Sequence, residues 1–295
     1  MIGAVCAVCG CATRFEFVTR TPYLDRRGIY AIHRCTACGH RFAVGDASPT
    51  LLQRIYATHF HDTGQQVARL GTAELAGERV RFPVVANAVR RARWLHDSGM
   101  AGRLLDVGAG RGYFVKAACR FFEAEGVDIV SSAVDYAGSI GAKVVTADFL
   151  ADNYRPPVFD VITLWDVLAS LPKPHDAVAK LRDLLRPGGH LVMTVPYVDA
   201  LVARAAGRFW PLLIPPVNLD YYSRKSISLL LERHGFAIRE MGCQGKSVSL
   251  QFLAVKLART LRVYGVERYL TAVPASWKVH VNLGDILTVV ATRQP

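Results

Sequence analysis

Three glycines at alternate positions close the segment Leu104-Leu105-Asp106-Val107-Gly108-Ala109-Gly110-Arg111-Gly112. An apolar run enters it and a helical pattern, Tyr113 to Phe121, leaves it. The segment therefore reads as a buried strand, a tight turn and a helix start, the building unit of an open α/β sheet. Glycine at such a turn lets backbone approach a ligand closely, and the helix start behind it favours a negative group. The spacing excludes two ligand classes. A dinucleotide fingerprint, G-x-G-x-x-G, needs its third glycine where Tyr113 stands. A P-loop continues into a lysine and a hydroxyl residue, and this turn does not. Alone, the turn also fits an ordinary strand-to-helix connection.

The following segments supply the context. Phe122 to Asp128 reads as a second strand ending in an acid, and a carboxylate there can take both hydroxyls of a ribose. A third short strand, Lys143 to Val145, precedes Thr146-Ala147-Asp148-Phe149. Phe159 to Asp166 reads as strand four. Leu184 to Pro196 reads as a helix end, a Pro-Gly-Gly turn and strand five. Phe236 to Met241 and Ile286 to Ala291 read as the last two strands. In order and spacing the stretch from Arg103 to Thr292 resembles the class I S-adenosylmethionine-dependent methyltransferases, with Asp106 opening their first motif. The resemblance implies a Rossmann-like, doubly wound, seven-stranded sheet whose last strand is antiparallel. It implies a cofactor site at Asp106, Gly108, Gly110, Gly112, Asp128, Asp148, Phe149 and Asp166, with Asp148 facing the adenine.

The amino-terminal part carries a different signal. Cys6-Ala7-Val8-Cys9-Gly10 and Cys35-Thr36-Ala37-Cys38-Gly39 are matched knuckles, each presenting two thiolates. Four soft ligands suit tetrahedral Zn²⁺ and leave no open position for water, so the expected metal is structural. Arg14 to Val18 and Gly28 to His33 alternate like short strands between the knuckles, which completes a zinc-ribbon pattern with a longer interval than usual. Cys11 is a spare thiol able to replace a ligand; His33 and His40 are weaker candidates. So small a module has too little core to fold without its metal.

A chain of 295 residues, 51% of them hydrophobic, holds one α/β domain and a small module. The expected division is a ribbon over 1–47, a helical lead-in or lid over 48–98 and the methyltransferase domain over 99–295. Within the lead-in, Thr50 to Tyr56 and Thr72 to Asp97 read as helices, with Pro83 a boundary or kink. Two excursions, 197–220 and 243–280, leave the carboxyl ends of strands five and six and are expected to form the acceptor pocket or its lid. No apolar run is long enough to span a bilayer, and Met1 to Gly10 lacks a basic leader. A cytoplasmic, reducing compartment is the expectation, where seven cysteines point to metal or free thiols. The net charge is +12, and basic residues far outnumber acids between Ala200 and Leu270. Such a field suits nucleic acid, anionic lipid or a phosphorylated substrate, and equally a solvated arginine-rich surface. A helix expected from Ser249 to Leu270 puts Leu250, Leu253, Leu257 and Leu261 on one stripe, away from Lys256, Arg259 and Arg262. Packing on the body of the protein is the commoner use of such a stripe; contact with an anionic membrane is the sharper one.

The carboxyl-terminal segments Pro215 to Ser223, Leu229 to Phe236 and Val281 to Leu287 resemble the small-molecule branch with ubiquinone-type O-methyltransferase relatives. The implied partner is a small or lipid-linked acceptor. This sequence departs from that branch after strand four, where Leu168-Ala169-Ser170 replaces a common Leu-Glu-His, so no proton-removal or metal role carries over there. The histidine common near Asn218 is absent too. Methyl transfer relies mostly on in-line positioning, and a hydroxyl acceptor gains further from a general base. The base candidates are His59, His61, Asp220 and Tyr221, with Tyr222 beside them. Two other readings compete: an RNA methyltransferase using the ribbon for RNA, which the charge favours, and a non-catalytic cofactor-binding protein, which the lost Glu-His pair favours.

Overall fold

The computed structural model describes residues 4–21, 28–56, 82–150, 159–251, 253–254 and 277–295. The amino-terminal strands are β1 (Thr13–Arg20), β2 (Ile29–Cys35) and β3 (Arg41–Val44). Helices α1 (Pro49–Ile55) and α2 (Pro83–Asp97) follow. The main sheet uses β4 (Arg103–Val107), β5 (Glu123–Asp128), β6 (Val144–Thr146), β7 (Phe159–Trp165) and β8 (Leu185–Pro196). It is completed by β10 (Phe236–Gly242) and β13 (Ile286–Arg293). Between these strands lie α3 (Tyr113–Ala118), α4 (Ser131–Ser139), α5 (Pro174–Leu184), α6 (Leu201–Ala206) and α7 (Arg224–Arg233). Three short strands remain: β9 (Asp220–Tyr221), β11 (Lys246–Ser249) and β12 (Lys278–Val281).

The seven-stranded sheet runs β10-β13-β8-β7-β4-β5-β6. Strands β4 to β8 pair in parallel, and β13 is antiparallel to both its neighbours, as the resemblance implies. From β4 the chain winds outward through β5 and β6, then returns to β7 on the other side of β4. The direction of winding reverses there, and open α/β sheets bind ligands beside the carboxyl ends at such a reversal. Apolar runs such as Val161, Ile162 and Leu164 are fully buried because helices cover both sheet faces.

Local details follow from sequence. Pro83 opens α2 at a position where its missing N–H costs nothing. Ser223 caps α7 in a box closed by Ser226, and Gly235 follows with φ of 72°. The expected Pro-Gly-Gly turn lies inside β8 rather than ahead of it. Pairing jumps from Phe159–Leu185 to Val161–His190, so Arg186 to Gly189 form a bulge. Gly188, at φ 80°, supplies the reversed backbone the bulge needs. Strands β11 and β12 pair at the base of the second excursion and were not foreseen. Most of the expected helix Ser249 to Leu270 lies outside the described residues; Leu250, Gln251, Leu253 and Ala254 are helical.

The ribbon strands form a second sheet, β1-β2-β3-β9, antiparallel throughout. Its fourth strand comes from the end of the first excursion. The amino-terminal strands thus share a sheet and a core with the segment that follows β8: Ile32 packs with Val198, Trp210, Leu213 and Tyr221.

Candidate functional site at the carboxyl edge of the sheet

The glycine turn sits at the winding reversal, and its three glycines are there for different reasons. A side chain at Gly108 would meet Val167 at 2.4 Å, and one at Gly112 would meet Ala137 at 2.7 Å. These two let elements pack. Gly110, at φ 52°, has nothing within 4 Å of a built Cβ among the described residues, so with respect to them its side at the edge is open. The Gly110 N–H donates to Asp128 Oδ2 at 2.7 Å and the Val130 N–H to Oδ1 at 2.9 Å. Each carboxylate oxygen keeps a lone pair for a further donor.

Asp106 is buried, at 2% exposure, and accepts from Thr163 Oγ1 at 2.6 Å. Burial pushes its carboxyl up to about 7, against the pull of the Thr163 hydrogen bond and the Arg91 guanidinium. Asp166 follows β7 with φ of 64°, a left-handed conformation costly for a residue with a side chain. It is held there by Thr194, whose hydroxyl accepts from the Asp166 N–H and donates to Oδ1, both at 2.8 Å. Asp148 is exposed beyond β6 and caps its own turn through Leu150 N–H. Phe149 instead turns into the core, with Lys180 over its ring at 5.3 Å.

Several residues at this edge carry no sequence motif. Arg91, on α2, lays its guanidinium 4.2 Å from the centre of the Trp165 ring and approaches Asp166 Oδ2 at 3.9 Å. Burial lowers the Arg91 pKa, opposed by Asp166 and Asp106. The Trp165 Nε1–H is a buried donor with no partner among the described residues. Tyr56, just after α1, is raised by burial; it hydrogen-bonds the Ser170 side chain and feels the Asp128 carboxylate. Arg91 and Tyr56 reach the edge from the lead-in, where spacing gives no signal. Helix α2 is docked through a buried face of Val85, Ala88, Ala92 and Leu95.

The base candidates divide. His59 and His61 lie outside the described residues. Asp220 is 4% exposed and accepts from His40 Nε2 at 2.8 Å. Tyr221 is fully buried, donates to Asn218 O at 2.7 Å and packs against Trp210. Asp220 is thus engaged with the amino-terminal strands and Tyr221 with the first excursion.

The four knuckle cysteines converge, with all sulfurs within 4.8 Å of one another. Cys6 and Cys38 sulfurs are 3.7 Å apart, and Cys9 and Cys35 3.4 Å. These edges suit a tetrahedron around a cation held at about 2.3 Å from each sulfur. Burial pushes the Cys6 thiol up to about 11 and Cys38 well above its ordinary value. Thiolates there need a cation to offset that burial. Cys11 is exposed beside the cluster, Cys119 is exposed elsewhere, and Cys243 hydrogen-bonds Gly284 O.

A family model described as a methyltransferase domain matches residues 66–241. The ubiquinone biosynthesis O-methyltransferase of Alkalilimnicola ehrlichii is 26% identical over 183 residues, 53% of this chain and 74% of that protein. The Ralstonia nicotianae protein of the same name is 26% identical over 44% of this chain and 60% of its own length. In fold, the chain is similar to magnesium protoporphyrin IX methyltransferase from Synechocystis with bound S-adenosylhomocysteine. The TM-score is 0.54 at 15% identity, covering 84% of this chain and all of that one. No helix among the described residues is long and apolar enough to cross a membrane. With the sheet order, the glycine turn and this match together, the chain belongs to the methyltransferase domain family and is a class I S-adenosylmethionine-dependent methyltransferase.

Proposed function

We propose that the protein methylates a hydroxyl oxygen on a small or lipid-linked acceptor. The observation that carries the reading is the edge itself: an open glycine turn, two acids at adjacent strand ends and a part-buried arginine, in a chain related to ubiquinone biosynthesis O-methyltransferases. The open side of Gly110, the spare lone pairs of Asp128 and the unpartnered Trp165 Nε1–H fit S-adenosylmethionine at this edge. In this reading Asp128 holds the ribose hydroxyls and Asp148 faces the adenine. Asp106 and Asp166 favour the cofactor's ammonium, and Arg91 takes its carboxylate. The bound sulfonium supplies an activated methyl group. The chain's part is to align the acceptor in line with it and keep water out, which accounts for most of the rate gain. Tyr56 from the lead-in closes the edge against Ser170, in the turn after β7 where the related branch carries ionisable residues. The tetrathiolate cluster is assigned a structural zinc ion.

A lipid-linked acceptor fits the first excursion. Leu201 and Phe209 are 81% and 60% exposed, with Arg204 and Arg208 beside them. Apolar side chains among arginines suit an anionic membrane surface. The test is methyl transfer from labelled S-adenosylmethionine to hydroxylated aromatic acceptors with and without prenyl tails, in parallel with total RNA. Label on a phenolic oxygen is expected. Label in RNA alone would replace this reading with RNA methylation, and cofactor binding with no transfer to any acceptor would favour a non-catalytic role.

A further inference from the structure

The family match begins at residue 66, so the ribbon lies outside it. Yet the ribbon is fastened to the methyltransferase body, most densely along the segment Leu219 to Ser223, with further contacts from His175, Asp199, Lys225 and Arg233. Strand β3 pairs with β9 through Arg41–Tyr221 and Phe42–Asp220, and the Ala43 N–H donates to Leu219 O at 2.8 Å. Buried His40 donates to Asp220, and its ring lies 4.9 Å from that of Tyr222. The knuckle carbonyls are capped from the body. Ser223 Oγ donates to Cys38 O at 2.7 Å, Lys225 Nζ to Ala37 O at 2.8 Å and Arg233 to Val8 O at 2.8 Å. The Tyr222 hydroxyl, buried with no partner among the described residues, lies in the field of both Asp220 and Cys6.

The other side of the same segment meets the carboxyl edge of the sheet. The Leu219 N–H donates to Ala169 O at 2.7 Å, one residue from Ser170 and its Tyr56 contact. The Tyr222 N–H donates to Pro196 O, where β8 ends, and the Val198 N–H donates to Tyr222 O. Leu219 to Tyr222 is thus held between the ribbon and the turn after β7. The backbone bonds of the glycine cradle involve none of these groups: Gly108 and Ala109 donate to Val127 O, and Gly110 to Asp128.

From this placement we infer that the tetrathiolate metal site is a support for the acceptor side of the enzyme, distinct from the cofactor cradle. The cation fixes both knuckles, the knuckles seat β3 and His40, and these fix Asp220 to Ser223 against the ends of β7 and β8. A module with so small a core depends on its cation for that geometry. Without it the first excursion loses its ribbon wall, Ile32 included, while the cradle keeps its own contacts. The inference rests on the proposed function only in calling this side the acceptor side.

The test compares full-length protein as purified with a Cys35→Ser/Cys38→Ser variant and with chelator-treated protein. Metal content, S-adenosylhomocysteine affinity and amide hydrogen exchange are measured on each. One zinc per chain is expected in the first and none in the others. Exchange across Leu219 to Ser223 and at Ala43 should then quicken about tenfold or more, while β4, β5 and β7 stay protected and S-adenosylhomocysteine still binds. Asp220→Asn should keep its zinc and quicken exchange in the same segment. No stoichiometric metal in the purified protein, unchanged exchange after its removal, or loss of protection throughout the main sheet would each overturn the inference. Failure of S-adenosylhomocysteine to bind the metal-loaded protein would instead strike at the cofactor assignment.

Discussion

At Asp106, fold stability conflicts with the proposed cofactor role. Its carboxyl is fully buried at the end of β4, and burial raises it from 3.8 to about 7. A carboxyl raised on folding binds more protons in the native state between those values. Stability therefore falls as pH rises from about 4 to about 7 and levels off above. A shift of that size corresponds to roughly 4 kcal/mol against the charged form. Asp106→Asn should accordingly stabilise the protein at pH 8 by about 1–4 kcal/mol and have little effect at pH 4, as read from urea unfolding at both values. The same change should weaken S-adenosylmethionine binding, because the anion that suits the cofactor's ammonium is gone. Equal stability effects at both pH values would show that the carboxyl is ionised without cost. Asp106 and the three glycines were legible in the sequence because one short spacing rule contains them. Arg91, Tyr56 and Trp165 were not, because they meet only through tertiary contact.

Helix α2 shows what an element adds that a motif does not. Its buried face docks it beside α3, and Asn87 exchanges hydrogen bonds with Ser247 of β11. That docking delivers Arg91 to Asp166 and Trp165. Arg91→Ala should weaken S-adenosylhomocysteine binding about tenfold or more by calorimetry, since hydrogen bonds to a charged group contribute about 1.5–3 kcal/mol. Its circular dichroism should remain unchanged. Unaltered affinity would remove Arg91 from the cofactor site. Strands with a clear apolar run were legible at this scale, as were α7 with its capping serine and terminal glycine. The bulge in β8 was read as a turn because Pro-Gly-Gly has the same local chemistry in both settings. Strand β9 could not be read at all: two residues, Asp220 and Tyr221, become a strand only because β3 lies alongside.

In the molecule as a whole, the winding reversal beside β4 gathers the residues proposed to bind the cofactor. The order of acids and glycines along the chain implied that reversal, and the sheet order matches it. The joint between ribbon and excursion had no counterpart in the sequence, where the two stretches lie far apart and look independent. Their union accounts for the burial and hydrogen bonding of Asp220 and Tyr221, two of the base candidates, at a shared sheet.

S-adenosylmethionine is proposed to sit against the open side of the glycine turn. Gly110 is the one glycine of the three whose added Cβ meets nothing within 4 Å among the described residues, yet its φ of 52° is one that valine strongly resists. Calorimetric titration of wild-type protein and a Gly110→Val variant with S-adenosylhomocysteine, and with NAD as a control, tests the claim directly. Wild type should bind one S-adenosylhomocysteine per chain and no NAD, and the variant should bind neither while keeping its circular dichroism. Wild-type affinity in the variant, or NAD binding by the wild type, would contradict the account.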